Sequence, residues 1–137
     1  MRIYLAGRYS RRNELRDYAD TLRRHGHTVT SRWLDEDKPL DGALTDQTDE
    51  WLAQTAAYDL YDIDSADVLL FFSEDPLVGI PRGGRHVEFG YALGRGKWIN
   101  VIGPMENVFH YYKGMIKHYD SFESFLAAKI QGVTFGV

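Results

Sequence analysis

Glu88 stands where chemistry is easiest to stage. It lies in GGRHVEFGYALG, residues 83–94, just after a glycine-rich loop and in the first turn of an expected helix. The positive end of a helix would keep its carboxylate ionised. Gly83, Gly84 and Gly90 leave space for close approach of a ligand. A carboxylate held this way can serve as nucleophile or base, although a helix-start glutamate is also common for the same dipole reason. Asp67 precedes the apolar run VLLFF, and an acid at a strand start is usually solvated. Tyr4 sits inside RIYLA, where a tyrosine is usually core with its hydroxyl at the edge. Trp33 is a loop plug or a platform for a flat ligand. Arg8, Arg11, Arg12 and Arg16 crowd the start of the first helix. They form a solvated helix face or, with Gly7, Tyr9 and Ser10, a cradle for one small anion at a helix N-terminus.

Several other chemistries are absent from the sequence. The loop after the first strand, AGRYSRR, has one glycine where a dinucleotide fingerprint needs three, and Gly96-Lys97 is followed by Trp98, so there is no P-loop. No G-x-S-x-G elbow occurs. Without cysteine there is no thiol nucleophile, disulfide or cysteine-ligated zinc. The His25-Gly-His27 pair has no third ligand nearby in sequence, so neither a metal nor a cofactor is expected.

These residues need a frame to hold them. RIYLA at 2–6 alternates and reads as a strand. Residues 11–25 carry Leu15, Tyr18, Ala19 and Leu22 on one helical stripe, closed by Gly26. A second strand is expected at 27–31, then a long polar loop at 32–45, whose length favours a binding loop. The second helix is expected at 46–65 with Leu52, Ala56, Leu60 and Ile63 on its buried face. VLLFF at 68–72 reads as a central strand covered on both faces. A glycine- and proline-rich loop follows at 73–84, then a helix at 85–93 and a strand at 98–102. A helical turn is expected within 108–116. Asp120-Ser-Phe-Glu123 has the pattern of a capping box opening a last helix to about residue 130. Alternation of this kind predicts an α/β open parallel sheet with helices on both faces. Ligands bind beyond the carboxyl ends of such strands, which directs attention to the loops at 7–12, 32–45 and 73–84.

At 137 residues the chain fits one domain, residues 1–137. No apolar run approaches the ~20 residues of a membrane span, and the N-terminus is too short in apolar residues for a signal peptide, so a cytoplasmic location is expected. The net charge of −4 conceals a strong asymmetry. Residues 1–32 hold eight arginines against three acids, and residues 33–75 hold thirteen acids against Lys38. The whole is too acidic for a general nucleic-acid binder.

IYLAG at 3–7, ADVLLFF at 66–72 and VEFGYALGRGKWINVIG at 87–103 together resemble the nucleoside 2-deoxyribosyltransferase family, which includes nucleotide N-glycosidases acting on nucleoside 5′-monophosphates. The resemblance covers about residues 1–103 and is most specific in E-x-G-Y-A-L-G-x-G-K. The ENVFHYY segment resembles phage-encoded members, which implies a host cytoplasm. The family implies a single-domain, flavodoxin-like or Rossmann-like sheet of about five strands. It implies Glu88 as nucleophile, Asp67 as the acid assisting the leaving base, and Tyr4 as holder of the nucleophile. Where the family carries aspartate or serine before the nucleophile, this chain has Arg82, Gly83, Gly84 and Arg85. The expected partners are a small nucleoside or nucleotide and a free base, with no nucleic-acid polymer, membrane or cofactor. The family also implies a homodimer or larger homo-oligomer with shared sites, in which Asn107 or His110 would reach the partner's pocket. Three enzyme readings follow: deoxyribosyl transfer between bases, hydrolysis of nucleoside monophosphates, and NAD glycohydrolysis. A non-catalytic nucleotide-binding module is the alternative of another class.

Overall fold

A computed structural model of the chain describes residues 1–35, 47–75 and 83–130. Five strands form one sheet: β1 (Arg2–Ala6), β2 (Thr28–Val29), β3 (Val68–Phe72), β4 (Trp98–Ile102) and β5 (Ile116–Tyr119). Every neighbouring pair is parallel, in the order β2-β1-β3-β4-β5. The helices are α1 (Arg12–Arg24), α2 (Asp49–Asp64), α3 (Gly84–Gly94) and α4 (Phe122–Ile130). This is the α/β open parallel sheet that the alternation predicts.

Successive residues of a strand point to opposite faces, and β3 shows which helices cover which face. Phe71 meets Phe89 of α3 edge-on at 5.3 Å, while Phe72 stacks on Tyr18 of α1 at 5.4 Å and leans on Phe122 of α4. All five residues of β3 are buried, as a doubly covered strand requires. Leu15, Ala19 and Leu22 turn the apolar stripe of α1 into the core. On α2 the buried side chains are Asp62 and Ile63, while Ala56 is exposed, so the expected apolar face is only partly realised.

Three local departures have physical causes. β2 pairs over two residues rather than five, because the Ser31 hydroxyl, not a backbone carbonyl, accepts the Leu5 N–H at 2.6 Å. β5 falls at the end of the segment read as a helical turn. The turn is confined to Val108–Tyr111, and the short, charged IKHY that follows pairs with β4. The last helix is capped by Ser121 and Ser124, each backbone N–H donating to the other's hydroxyl at 3.1 Å, in place of the expected Asp120–Glu123 box.

Gly103 ends β4 at a φ of +111°, a region side chains rarely enter. A Cβ there would lie 2.6 Å from the Ser73 hydroxyl, which itself donates to the Ile102 carbonyl. Gly103→Ala is expected to cost about 1–3 kcal/mol, read as a Tm lowered by on the order of 5–10 °C. Adding Ser73→Ala should recover only part of the loss, since it removes the oxygen overlap and leaves the backbone strain. A wild-type Tm for the single variant would refute this account.

Candidate active site

β1 continues to β2 on one side of the sheet and lies beside β3 on the other, so the chain order reverses between β1 and β3. Such a switch point is where open sheets bind ligands. Tyr4 on β1 pairs in register with Leu69 on β3, and its side chain is fully buried. Its hydroxyl donates a short hydrogen bond to Glu88 Oε2 on α3, joining strand to helix across the sheet face. Burial pushes Glu88 up to about 8, helped by the negative charge of Asp59, while the Tyr4 bond pulls the other way. Tyr4 is raised well above its usual range, by burial first and then by the Glu88 and Asp59 charges, so its hydroxyl stays a neutral donor.

The expected electrostatics of Glu88 are therefore reversed. It is the fifth residue of α3, beyond the first turn, and desolvation outweighs any help from the helix end. Gly83 supplies the N-cap at a φ of +89°, with Gly84 opening the helix, and open space would surround a side chain at either.

Asp67 does not join this group. It lies two residues before the level of Tyr4, about 7 Å toward the amino edge, where it accepts the Arg2 N–H at 2.9 Å and faces the Arg2 guanidinium at 3.7 Å. Besides Glu88, the acids whose charge reaches Tyr4 are Asp59 and Asp62 of α2. Asp62 is buried and held by Arg32, whose Nη2 donates to it at 2.8 Å, and Asp59 is the acid whose charge also raises Glu88. Asp59 was legible only as an acid three residues before Asp62 and four before Ile63, hence on the inner face of α2.

The anion cradle expected at 7–12 is largely occupied by the protein's own acids. Arg11 donates to Glu14 at 2.7 and 3.0 Å and to Glu74 at 2.6 Å, and Arg8 lies 4.0 Å from Glu74. Arg12 stacks over Tyr9 at 4.4 Å, and Ser10 is exposed. At Gly7 a Cβ would stand 3.0 Å from Leu15, so this glycine serves the close approach of α1. Trp33 is a plug: it is buried, and its indole N–H donates to the Leu5 carbonyl at 2.8 Å. The parts of the expected binding loops at 36–45 and 76–82, Arg82 included, lie outside the described residues.

His110 cannot reach a neighbouring molecule. It is 1% exposed, packed on Phe71 and Phe89, and its Nδ1 accepts the Glu106 N–H at 3.0 Å. Burial lowers it to about 4, so the ring is neutral. Asn107 accepts the Phe109 N–H at 3.0 Å and caps the turn. The exposed side chains of this segment are Val108, Phe109, Tyr111 and Tyr112. Sequence reasoning also missed Glu106, which accepts a two-pronged bond from the buried Arg85 and the Glu74 N–H at 3.0 Å. Among the described residues no cluster suits a metal ion, and no helix is long and apolar enough to cross a membrane.

No family model matches the chain, and no curated protein matches it by sequence. Solved structures share its fold. A 2-deoxyribosyltransferase from Bacillus psychrosaccharolyticus is 19% identical with a TM-score of 0.72, over 98% of this chain and 97% of that one. A CMP N-glycosidase from Clostridium botulinum is 18% identical with a TM-score of 0.60, over 96% and 99%. A conserved protein from Enterococcus faecalis is 15% identical with a TM-score of 0.61, over 96% and 98%.

Glu88 sets a pH test of this site. Its native value of about 8 stands above the ordinary 4.5, so the folded chain holds a proton that the unfolded chain has lost. Its contribution to stability is complete below about 4.5 and is lost as pH rises through about 8. Glu88→Gln keeps an acceptor for Tyr4 and removes the titration. The Tm gap in favour of Gln should open between pH 5 and 8.5 by circular dichroism. A gap independent of pH would mean that Glu88 titrates normally.

Proposed function

We propose that this chain cleaves the N-glycosidic bond of 2′-deoxynucleosides through a covalent glutamyl-deoxyribosyl ester and transfers the sugar to another base. The observation that carries this reading is the Tyr4–Glu88 bond with Asp59 alongside, at the switch point of a fold shared with a deoxyribosyltransferase and an N-glycosidase.

The chemistry asks for two acids with different tasks. Glu88, ionised, attacks C1′; the C1′–N bond breaks, and its electron pair passes to the base, which takes a proton from Asp59. The result is a sugar ester on Glu88 and a free base. A second base then attacks C1′, giving its proton to Asp59 and releasing Glu88. The transition state is oxocarbenium-like, as in retaining glycosidases. Tyr4 fixes the carboxylate that must attack. Asp59 here takes the role that the family resemblance assigned to Asp67, since it is the acid electrostatically linked to Glu88. Gly83 and Gly84 leave room for the sugar, and the rim at Gly7, Arg8, Tyr9 and Ser10 is where the rest of the substrate would lie.

Hydrolysis of a nucleoside 5′-monophosphate is the second reading. It would draw on the arginines of residues 8–12, and the pairing of Arg11 with Glu14 and Glu74 favours the uncharged nucleoside instead. A homo-oligomer fits either reading, through the exposed apolar side chains of 108–112.

Incubation with deoxynucleosides and their monophosphates, with and without acceptor base, separates the readings. Transfer with acceptor and slow hydrolysis without it are expected. Glu88→Ala should abolish turnover and the sugar adduct seen by intact-protein mass spectrometry. Asp59→Asn should slow turnover by about 10²–10⁴-fold, the range of general acid–base catalysis, while Asp67→Asn stays near wild type. Full turnover by Glu88→Ala would refute the mechanism, and release of base from monophosphates alone would select the hydrolase.

A further inference from the structure

We propose that the buried Arg85–Glu106 pair is a positioning device for Glu88: Glu106 engages the Arg85 guanidinium, one turn before Glu88 on α3, so that the Glu88 carboxyl is left to Tyr4. This inference rests on Glu88 being the nucleophile.

Arg85 and Glu88 are three residues apart on one helix, a spacing at which side chains are neighbours. A guanidinium there would ordinarily pair with the carboxylate. Instead both Arg85 Nη atoms donate to Glu106, with Nη2 at 2.7 Å from Oε1. The side chains are 3% and 8% exposed. The guanidinium also lies 5.3 Å from the Phe71 ring, on the sheet face that carries Tyr4.

Glu106 binds more than Arg85. Its Oε2 accepts the Glu74 N–H at the end of β3, and its own N–H is held by His110 Nδ1. One carboxylate thus ties the start of α3 to the segments following β3 and β4. Arg85 Nε has no partner among the described residues. A buried pair of this kind does not need to stabilise the fold, because apolar side chains of similar volume often serve equally well. What the charges add is geometry: the guanidinium is turned to Glu106 and is not among the groups that shift Glu88. The ionisable groups at this corner are Tyr4 on β1, Asp59 and Asp62 on α2, Arg85 and His86 on α3, and Glu74, Glu106 and His110 on the segments that follow β3 and β4. The groups that shift Glu88 are Asp59 and Tyr4.

The test is a charge cycle read on Glu88 itself. The Glu88 carboxyl is followed by carbon NMR against Glu88→Gln in wild type, in Glu106→Gln and in the double variant Arg85→Met/Glu106→Leu. Glu106→Gln leaves Arg85 uncompensated, and the Glu88 midpoint should fall by about 1 unit or more. The double variant removes both charges, so the midpoint should return toward the wild-type value. With deoxynucleoside and acceptor base, the double variant should keep KM within about threefold and lose about 10- to 100-fold in kcat, as a displaced nucleophile does. An unchanged midpoint in Glu106→Gln, or wild-type kcat in the double variant, overturns the proposal. The two claims fail separately. Turnover by Glu88→Ala would remove Glu88 as nucleophile, whereas an inactive Glu88→Ala beside an unchanged midpoint would remove only the positioning role. If the double variant does not fold, the midpoint in Glu106→Gln alone decides.

Discussion

A carboxylate held against a tyrosine in poorly hydrated surroundings is the constraint from which the rest of this structure follows. Desolvation works against the charge on Glu88, and one donated hydrogen bond from Tyr4 does not offset it. The arrangement persists because both ends sit on rigid elements. Tyr4 is fixed in β1, between β2 and β3, and Glu88 in α3, whose Phe89 packs on Phe71 of β3. The sheet supplies the rigidity, and the site draws on it: an arrangement costly to the fold is characteristic of a group kept for reactivity.

The same logic orders the charges. The basic first segment and the acidic second one meet in space. Arg2 faces Asp67, Arg8 and Arg11 face Glu74, and Arg32 grips Asp62. From the third segment, Arg95 reaches back to Asp64. Each of these four acids is held by guanidinium groups that clamp helices and strand ends. The most exposed of them, Arg2–Asp67, contributes little stability, and beside the switch point Glu74 neutralises Arg8 and Arg11.

Much of the frame was legible in the sequence, and the reasons differ between its parts. VLLFF and the stripe of Leu15, Ala19 and Leu22 are strong because burial on a fixed period leaves few alternatives. β5 was not legible: IKHY is short and polar, and its strand character comes from pairing with β4. At the site, Glu88 and Tyr4 could be singled out from sequence and were brought together by the fold. Asp59 could not, because nothing local distinguishes it from Asp62, Asp64 or Asp67. Its role depends on which turn of α2 faces α3, a tertiary fact. Arg85 stands out in the sequence as a departure from the family pattern, but its partner Glu106 is 21 residues away on another loop, and no spacing rule connects them.

The brevity of the outermost strands has a further consequence. β2 presents two paired residues at one margin of the sheet, and beyond it Ser31 has already replaced the backbone as partner to β1. β5 closes the other margin with four residues that include Lys117 and His118. A foreign strand seeking to lengthen the ladder would find a foothold too short on one side and too charged on the other, which is how natural sheets resist runaway polymerisation. Copies of this chain that meet at high concentration thus have little means of fusing their backbones along the described strands.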